Sequence, residues 1–264
     1  MKRQPRAKKS LGQHFLANSS YCQKIAQFAQ IGPEDTVVEI GPGTGQLTRV
    51  LLPLARKVIA VELDRDLVHY LNEHYLQENE ATKHLDVIQA DILSFDWAVV
   101  GNNPFKVIGN LPYNIATQIL QNMLPIKDRF QSGTFLLQKE VAQRILSSPN
   151  SRDYGYFTLL MEYHFKRTAG FDVPPGAFVP PPKVVSQVIQ LKPRNSPHRV
   201  PDESDFQTLL KEAFQQRRKT LWNNLKSGHH QKLLESAFEV CRIPSRARPQ
   251  EVTLEQYACL GRML

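Results

Sequence analysis

Cysteine is scarce in this chain of 264 residues. Cys22, Cys241 and Cys259 are odd in number, form no CxxC pair and lie far apart. That spacing argues against a disulfide framework and a zinc site, and leaves the three as packing residues in a reducing, cytoplasmic setting. No apolar run approaches the roughly 18 residues of a membrane span, and the polar, basic N-terminus has no signal-peptide core. Neither membrane insertion nor export is expected. Internal repeats and low-complexity tracts are missing as well. With 41% apolar residues the chain can build a normal core, which excludes a disordered class.

Acid is missing from one end. Residues 1–33 hold six lysines and arginines and no carboxylate, and residues 34–191 hold 14 basic and 17 acidic residues. Residues 192–248 carry 12 basic against six acidic. The net charge of +8 thus sits in two flanks around a slightly acidic body, a layout suited to a polyanion. A generic basic surface is the bland alternative on charge alone.

The N-terminal ten residues read as a mobile cationic arm, followed by Leu11–Leu16, too apolar for a free tail. A helix is expected from about 20 to 30, capped by Asn18 or Ser19. Thr36–Gly41 then reads as a β-rich run that enters Gly41-Pro42-Gly43-Thr44-Gly45 and a helical pattern. Strand, glycine turn and helix form the first unit of a doubly wound sheet. Further strands are expected at 57–62, 86–91, 105–109, 133–138, 156–165 and 184–191, and helices at 64–76, 115–123 and 139–146. Residues 173–183 hold a proline-dense, extended loop that displays Phe178. Past a Pro/Arg/Ser-rich linker near 192–201 the chain reads as helical, at 202–218, 221–226, 231–241 and 253–264. The expected organisation is an arm and covering segment (1–16), an α/β domain of about seven strands (17–191) and a small all-helical domain (192–264).

Residues at strand ends carry the chemistry. The Gly41-x-Gly43-x-Gly45 turn allows a ligand to approach the backbone, although its spacing is a poor match to the GxGxxG of dinucleotide sites. Glu62 ends the second strand, where a carboxylate can accept both hydroxyls of a ribose. Asp91 ends the third and can accept from an adenine amine. Glu39, inside the first strand, needs a partner if buried.

The run Val107–Asn114 closes the set. Asn110 offers a side-chain carbonyl, Pro112 stiffens the turn and biases Leu111 away from helix, and Tyr113 offers a flat ring. Together they suit a planar base with an exocyclic amine. The Asn110 side-chain carbonyl and the Leu111 main-chain carbonyl hold its two N–H groups while nitrogen attacks an electrophilic methyl group. Tyr113 stacks on one face of the base and Phe178 is expected to close the other. A base pinched in this way has left its stack.

These stretches resemble the ribosomal RNA adenine dimethyltransferase family, above all its bacterial small-subunit branch. The resemblance lies in LGQHFL (11–16), VEIGPGTGQLT (37–48), VIAVELDRDL (58–67), IQADIL (88–93), VIGNLPYNIAT (107–117), LLQKEVAQRI (136–145), FVPPPKVVS (178–186) and FQQRRKTL (214–221), in order over almost the whole chain. It implies a Rossmann-like, seven-stranded S-adenosylmethionine-dependent methyltransferase domain with a helical C-terminal domain on RNA. It implies a methyl donor held by His14, Leu16, Gly41, Glu62, Asp91 and Asn110. His14 stands where relatives often carry Asn. The implied reaction is N6,N6-dimethylation of two adjacent adenosines near the 3′ end of small-subunit rRNA in the pre-30S particle, by an enzyme expected to be a monomer without a metal. Arg217, Arg218 and Lys219, expected within one helical turn, are candidates for RNA phosphates. Two alternatives share these motifs: a large-subunit rRNA dimethyltransferase of the antibiotic-resistance kind, and a non-catalytic ribosome assembly or transcription factor.

Overall fold

The computed structural model describes residues 5, 7, 8, 12–75, 84–195 and 197–264. Most of the cationic arm, with Leu11, lies outside the described residues. Phe15–Leu16 forms a short strand, β1, and Asn18 caps helix α1 (Ser19–Phe28) through Oδ1. The apolar runs after it become β2 (Thr36–Ile40), α2 (Gln46–Leu51), β3 (Lys57–Glu62), α3 (Arg65–Tyr75), β4 (Leu85–Gln89), β5 (Phe105–Asn110), α4 (Ala116–Asn122) and β6 (Phe130–Gln138). β2 is buried over its full length, as a strand covered on both faces requires.

Helix α5 (Lys139–Leu146) follows, then α6 (Tyr156–His164), β7 (Phe165–Val173), β8 (Phe178–Val179) and β9 (Ser186–Pro193). The strand expected over 156–165 is therefore a helix. Its apolar and aromatic residues are buried nearly all round, which supports a fully packed helix as well as a strand. The strand lies just beyond it, in the more polar stretch 165–173. A short 3₁₀ turn at Pro175–Ala177 interrupts the proline loop, where Pro fits the first helical positions.

The sheet runs in the order β4-β3-β2-β5-β6-β9-β7. β4, β3, β2, β5 and β6 are parallel along their pairs, and β9 turns antiparallel to β6. Chain order reverses between β2 and β5, and an open α/β sheet of this kind binds its ligand outside the carboxyl ends at that reversal. β1 pairs separately with β8, matching Phe15 to Val179 and Leu16 to Phe178.

Two units form from this chain: Met1–Ala142 with Thr168–Pro193, and Gln143–Arg167 with Arg194–Leu264. The chain leaves the first unit within α5 and returns within β7. A single boundary at 192 does not capture this excursion. Its physical basis is that Tyr154, Leu159 and Tyr163 pack into the same apolar core as Phe206, Leu210 and Tyr257. That second unit carries α7 (Glu203–Ala213), α8 (Leu221–Leu225), α9 (Gln231–Val240) and α10 (Leu254–Met263). Helix α7 ends at Ala213, short of the expected 218, and Cys241 and Cys259 are joined in a disulfide. The last point corrects the reading of all three cysteines as packing residues. α10 folds back beside α9 and brings these two to a Cα separation of 5.6 Å, whereas Cys22 is a buried thiol. No described helix is long and apolar enough to cross a membrane.

Candidate active site

A cavity of about 280 Å³ opens at the carboxyl ends of β2, β3 and β5. Gly41 and Gly43 form its floor, Glu62 and Asp91 one side, and Asn110–Asn114 the other, while Gly12–Phe15 covers it. The turn after β2 works because its glycines adopt positive φ, +58° at Gly43. A Cβ on Gly43 would stand 2.7 Å from the Phe15 ring, so only glycine lets the covering segment lie this close.

Glu62 is 6% exposed, and both its oxygens are in use: Oε2 accepts the Gly43 N–H at 3.2 Å and Oε1 the Asp64 N–H at 2.9 Å. Burial pushes its carboxyl above the ordinary range, against the pull of those two N–H groups. Each oxygen keeps a further lone pair for a ligand. Asp91 lies two residues beyond the end of β4, caps a 3₁₀ turn by accepting the Leu93 N–H at 2.9 Å, and faces solvent.

Glu39 points into a small adjoining hollow of about 30 Å³, shared with Leu16, Gly41, Gly43 and Asn110. Its Oε2 accepts from Thr48 Oγ1 at 2.6 Å, and burial lifts its carboxyl to about 7. This supplies the partner that a buried strand acid requires.

Asn110 ends β5, paired with Leu136 of β6. Its Nδ2 donates to the His14 carbonyl oxygen at 2.7 Å, which leaves the side-chain carbonyl as the end available to a ligand. Leu111 is buried and anchored by its N–H to the Leu136 carbonyl. Tyr113 is half-buried; its hydroxyl lies 2.6 Å from Ser186 Oγ and its ring stacks with His14. Burial raises the Tyr113 phenol above its ordinary range, so the hydroxyl keeps its proton.

The structure thus brings His14, Gly41, Glu62, Asp91, Asn110, Leu111, Pro112 and Tyr113 to one cavity, with Leu16 on the adjoining hollow. Phe178 is not brought there. Its register with Leu16 turns the ring into the core, where it is 2% exposed, and the outward position falls to Val179. Sequence reasoning missed the ties that hold the cover. Lys8 Nζ bonds Asp64 Oδ1 at 2.6 Å and Asp66 at 2.8 Å, and Gln13 reaches Asp64 at 3.4 Å. A lysine and two acids 56 and 58 residues later carry no local signal.

In the second unit, Arg217–Lys219 lie in the turn after α7 rather than on a helix. Arg217 is exposed yet tied to the chain: its guanidinium donates to the carbonyls of Tyr154 at 2.6 Å and Arg152 at 2.9 Å. Arg218 and Lys219 are exposed.

The ribosomal RNA adenine dimethylase family matches residues 4–261. The chain belongs to this family. A Clostridium botulinum protein named ribosomal RNA small subunit methyltransferase A is 39% identical over 96% of this chain and 92% of its own length. A Francisella tularensis protein of the same name is 38% identical over the whole of both chains. Among solved structures, a dimethyladenosine transferase from Plasmodium falciparum superposes with a TM-score of 0.80 at 25% identity, covering 94% of this chain and 96% of that one. The 23S rRNA methyltransferase ErmE gives 0.73 at 25% identity, covering 95% and 99%. As members of this family do, the chain has the Rossmann-like methyltransferase fold expected from its motifs.

Proposed function

We propose that this dimethylase acts on small-subunit rRNA, converting two adjacent adenosines near its 3′ end to N6,N6-dimethyladenosine in the pre-30S particle. S-adenosylmethionine, in this reading, supplies the electrophilic methyl group. The observation that carries the proposal is the Asn110 side chain, fixed by the His14 carbonyl with its own carbonyl free for an amine, at the strand reversal beside Glu62. Full-length relatives named for the small subunit support that substrate over the large-subunit one.

The residues fit such a donor. A buried acid suits ribose hydroxyls, the Asp91 carboxylate suits an adenine amine, and the Gly41–Gly43 backbone allows close approach. Asn110 and the Leu111 carbonyl accept the two N–H groups of the target amine and favour the positive charge that develops on nitrogen. Tyr113 presents a ring for the flipped base. A dedicated base is unnecessary, since the product ammonium is acidic enough to lose its proton to water. Arg218 and Lys219 offer charge for phosphates, and the enzyme works as a cytoplasmic monomer. Calorimetric titration tests the donor: S-adenosylmethionine should bind and NAD should not, and the reverse result would overturn the site assignment.

A further inference from the structure

His14 touches Asn110 and Tyr113 on the cavity wall and Pro180 behind it. Its carbonyl oxygen accepts from Asn110, its Nδ1 lies 2.8 Å from the Pro180 carbonyl oxygen, and its ring stacks on Tyr113 with centroids 5.5 Å apart and planes inclined by 26°. A main-chain carbonyl only accepts, so Nδ1 carries the proton and donates. Pro180 directly follows β8, whose pairing with β1 holds the same segment in register. The imidazole is therefore tethered from behind while it lies against the phenol.

Tyr113 has two faces and one polar tip. Ser186, fully buried at the start of β9, takes the tip, and His14 covers one face. A planar group that stacks on Tyr113 then uses the face opposite His14. A ring held at its tip alone can still tilt about the Cβ–Cγ axis, and a tilt of the plate displaces a stacked base from the methyl-accepting position. Rate is sensitive to such displacement.

Resting on the reading of Tyr113 as the plate for the target base, we propose that His14 is a positioning residue. Its side chain, fixed to Pro180, sets the plane of Tyr113, while its backbone carbonyl sets Asn110. The segment that covers the donor cavity is thereby the segment that shapes the base-binding surface. The ring acts on the RNA side of the reaction and leaves donor affinity to the backbone.

The test separates these two sides with the full-length enzyme, S-adenosylmethionine and undermethylated small-subunit particles. His14→Ala should lower kcat/KM for the particle about tenfold, through loss of the aromatic stacking and the alignment it gives, with the donor Kd changed less than about twofold. His14→Phe keeps a flat ring but loses the bond to Pro180, and should fall about threefold, between the wild type and His14→Ala. In a Tyr113→Ala background, His14→Ala should cost less than about twofold, because the plate it positions is gone. Losses that multiply in the double variant, or a donor Kd that weakens in step with kcat/KM, would overturn the positioning role, and the donor Kd decides it where Tyr113→Ala is inactive. An unimpaired Tyr113→Ala enzyme would instead remove the plate reading, and this proposal with it. Thermal melting of each variant controls for folding, and if the alanine variant unfolds, a His14→Phe enzyme with wild-type kcat/KM, or with a donor Kd weakened in step with it, overturns the proposal.

Discussion

The Asn110 side chain and the His14 main chain are joined by a hydrogen bond of 2.7 Å, although 96 residues separate them. This bond decides which end of the Asn110 amide faces the cavity, so a covering segment near the N-terminus orients the group proposed to accept the substrate amine. Replacing Asn110 by Ala should cut methyl transfer about 10²–10³-fold, the usual loss on removing one preorganised transition-state partner. Asn110→Asp still offers acceptor oxygens but turns one against the His14 carbonyl, and should lose at least about tenfold. Single-turnover assays with calorimetric donor binding check both, and donor affinity should weaken far less than the rate.

Stability should fall as pH rises through the range of the buried acids. Burial lifts Glu39 to about 7 from an ordinary 4.5 and raises Glu62 in the same direction. A carboxyl with a raised folded-state pKa contributes fully below its unfolded value, and that contribution is lost between about pH 4.5 and 7. For Glu39 the loss is at most roughly 3 kcal/mol. Denaturant titrations at pH 5 and pH 8 should show a smaller drop for Glu39→Gln than for the wild type. An equal drop would contradict the burial argument.

Gly45 caps α2 at φ +78°, and an added Cβ would stand 2.7 Å from the Tyr75 ring and 2.9 Å from Leu71. Gly45→Ala combines left-handed strain with overpacking and should cost about 2–4 kcal/mol in urea unfolding.

The basic turn after α7 should split by role. Arg217→Ala removes charged donors from the Tyr154 and Arg152 carbonyls and should destabilise the protein by about 1–3 kcal/mol. Arg218→Ala with Lys219→Ala should leave stability within about 0.5 kcal/mol. The log–log slope of RNA affinity against salt should become shallower by about one unit for each phosphate that the variant no longer neutralises. Filter binding at several salt concentrations measures it.

Much of the first unit was readable because local pattern and tertiary role agree there. Val37, Val38, Val58, Ile59, Val107 and Ile108 are β-formers, and all are buried in the sheet. Glu62 and Asn110 end such runs and so fall at the carboxyl rim of the sheet, where they line the cavity. Elsewhere local pattern underdetermines the outcome. Tyr156–His164 is apolar enough for a strand or a helix, and the two outcomes differ only in what surrounds it. The strand at 165–173 is polar, and its Gly170 has a reason visible only in space: a Cβ there would meet the Val188 carbonyl at 2.7 Å.

Phe178 and Val179 show how narrow the margin is. One residue of register decides which of two neighbours faces the core, and the pairing partner that sets it, β1, lies more than 160 residues earlier. The Cys241–Cys259 disulfide and the Lys8–Asp64 ion pair are likewise long-range products of folding, without a signature at either end.

The most direct test of the central claim is methyl transfer itself. Purified enzyme, labelled S-adenosylmethionine and undermethylated small-subunit particles are incubated, and the labelled rRNA is digested to nucleosides and mapped. The expected result is N6,N6-dimethyladenosine at two adjacent adenosines near the 3′ end of the small-subunit rRNA, lost with Asn110→Ala. Label confined to large-subunit rRNA, label in a nucleoside other than adenosine, or no transfer at all would contradict it.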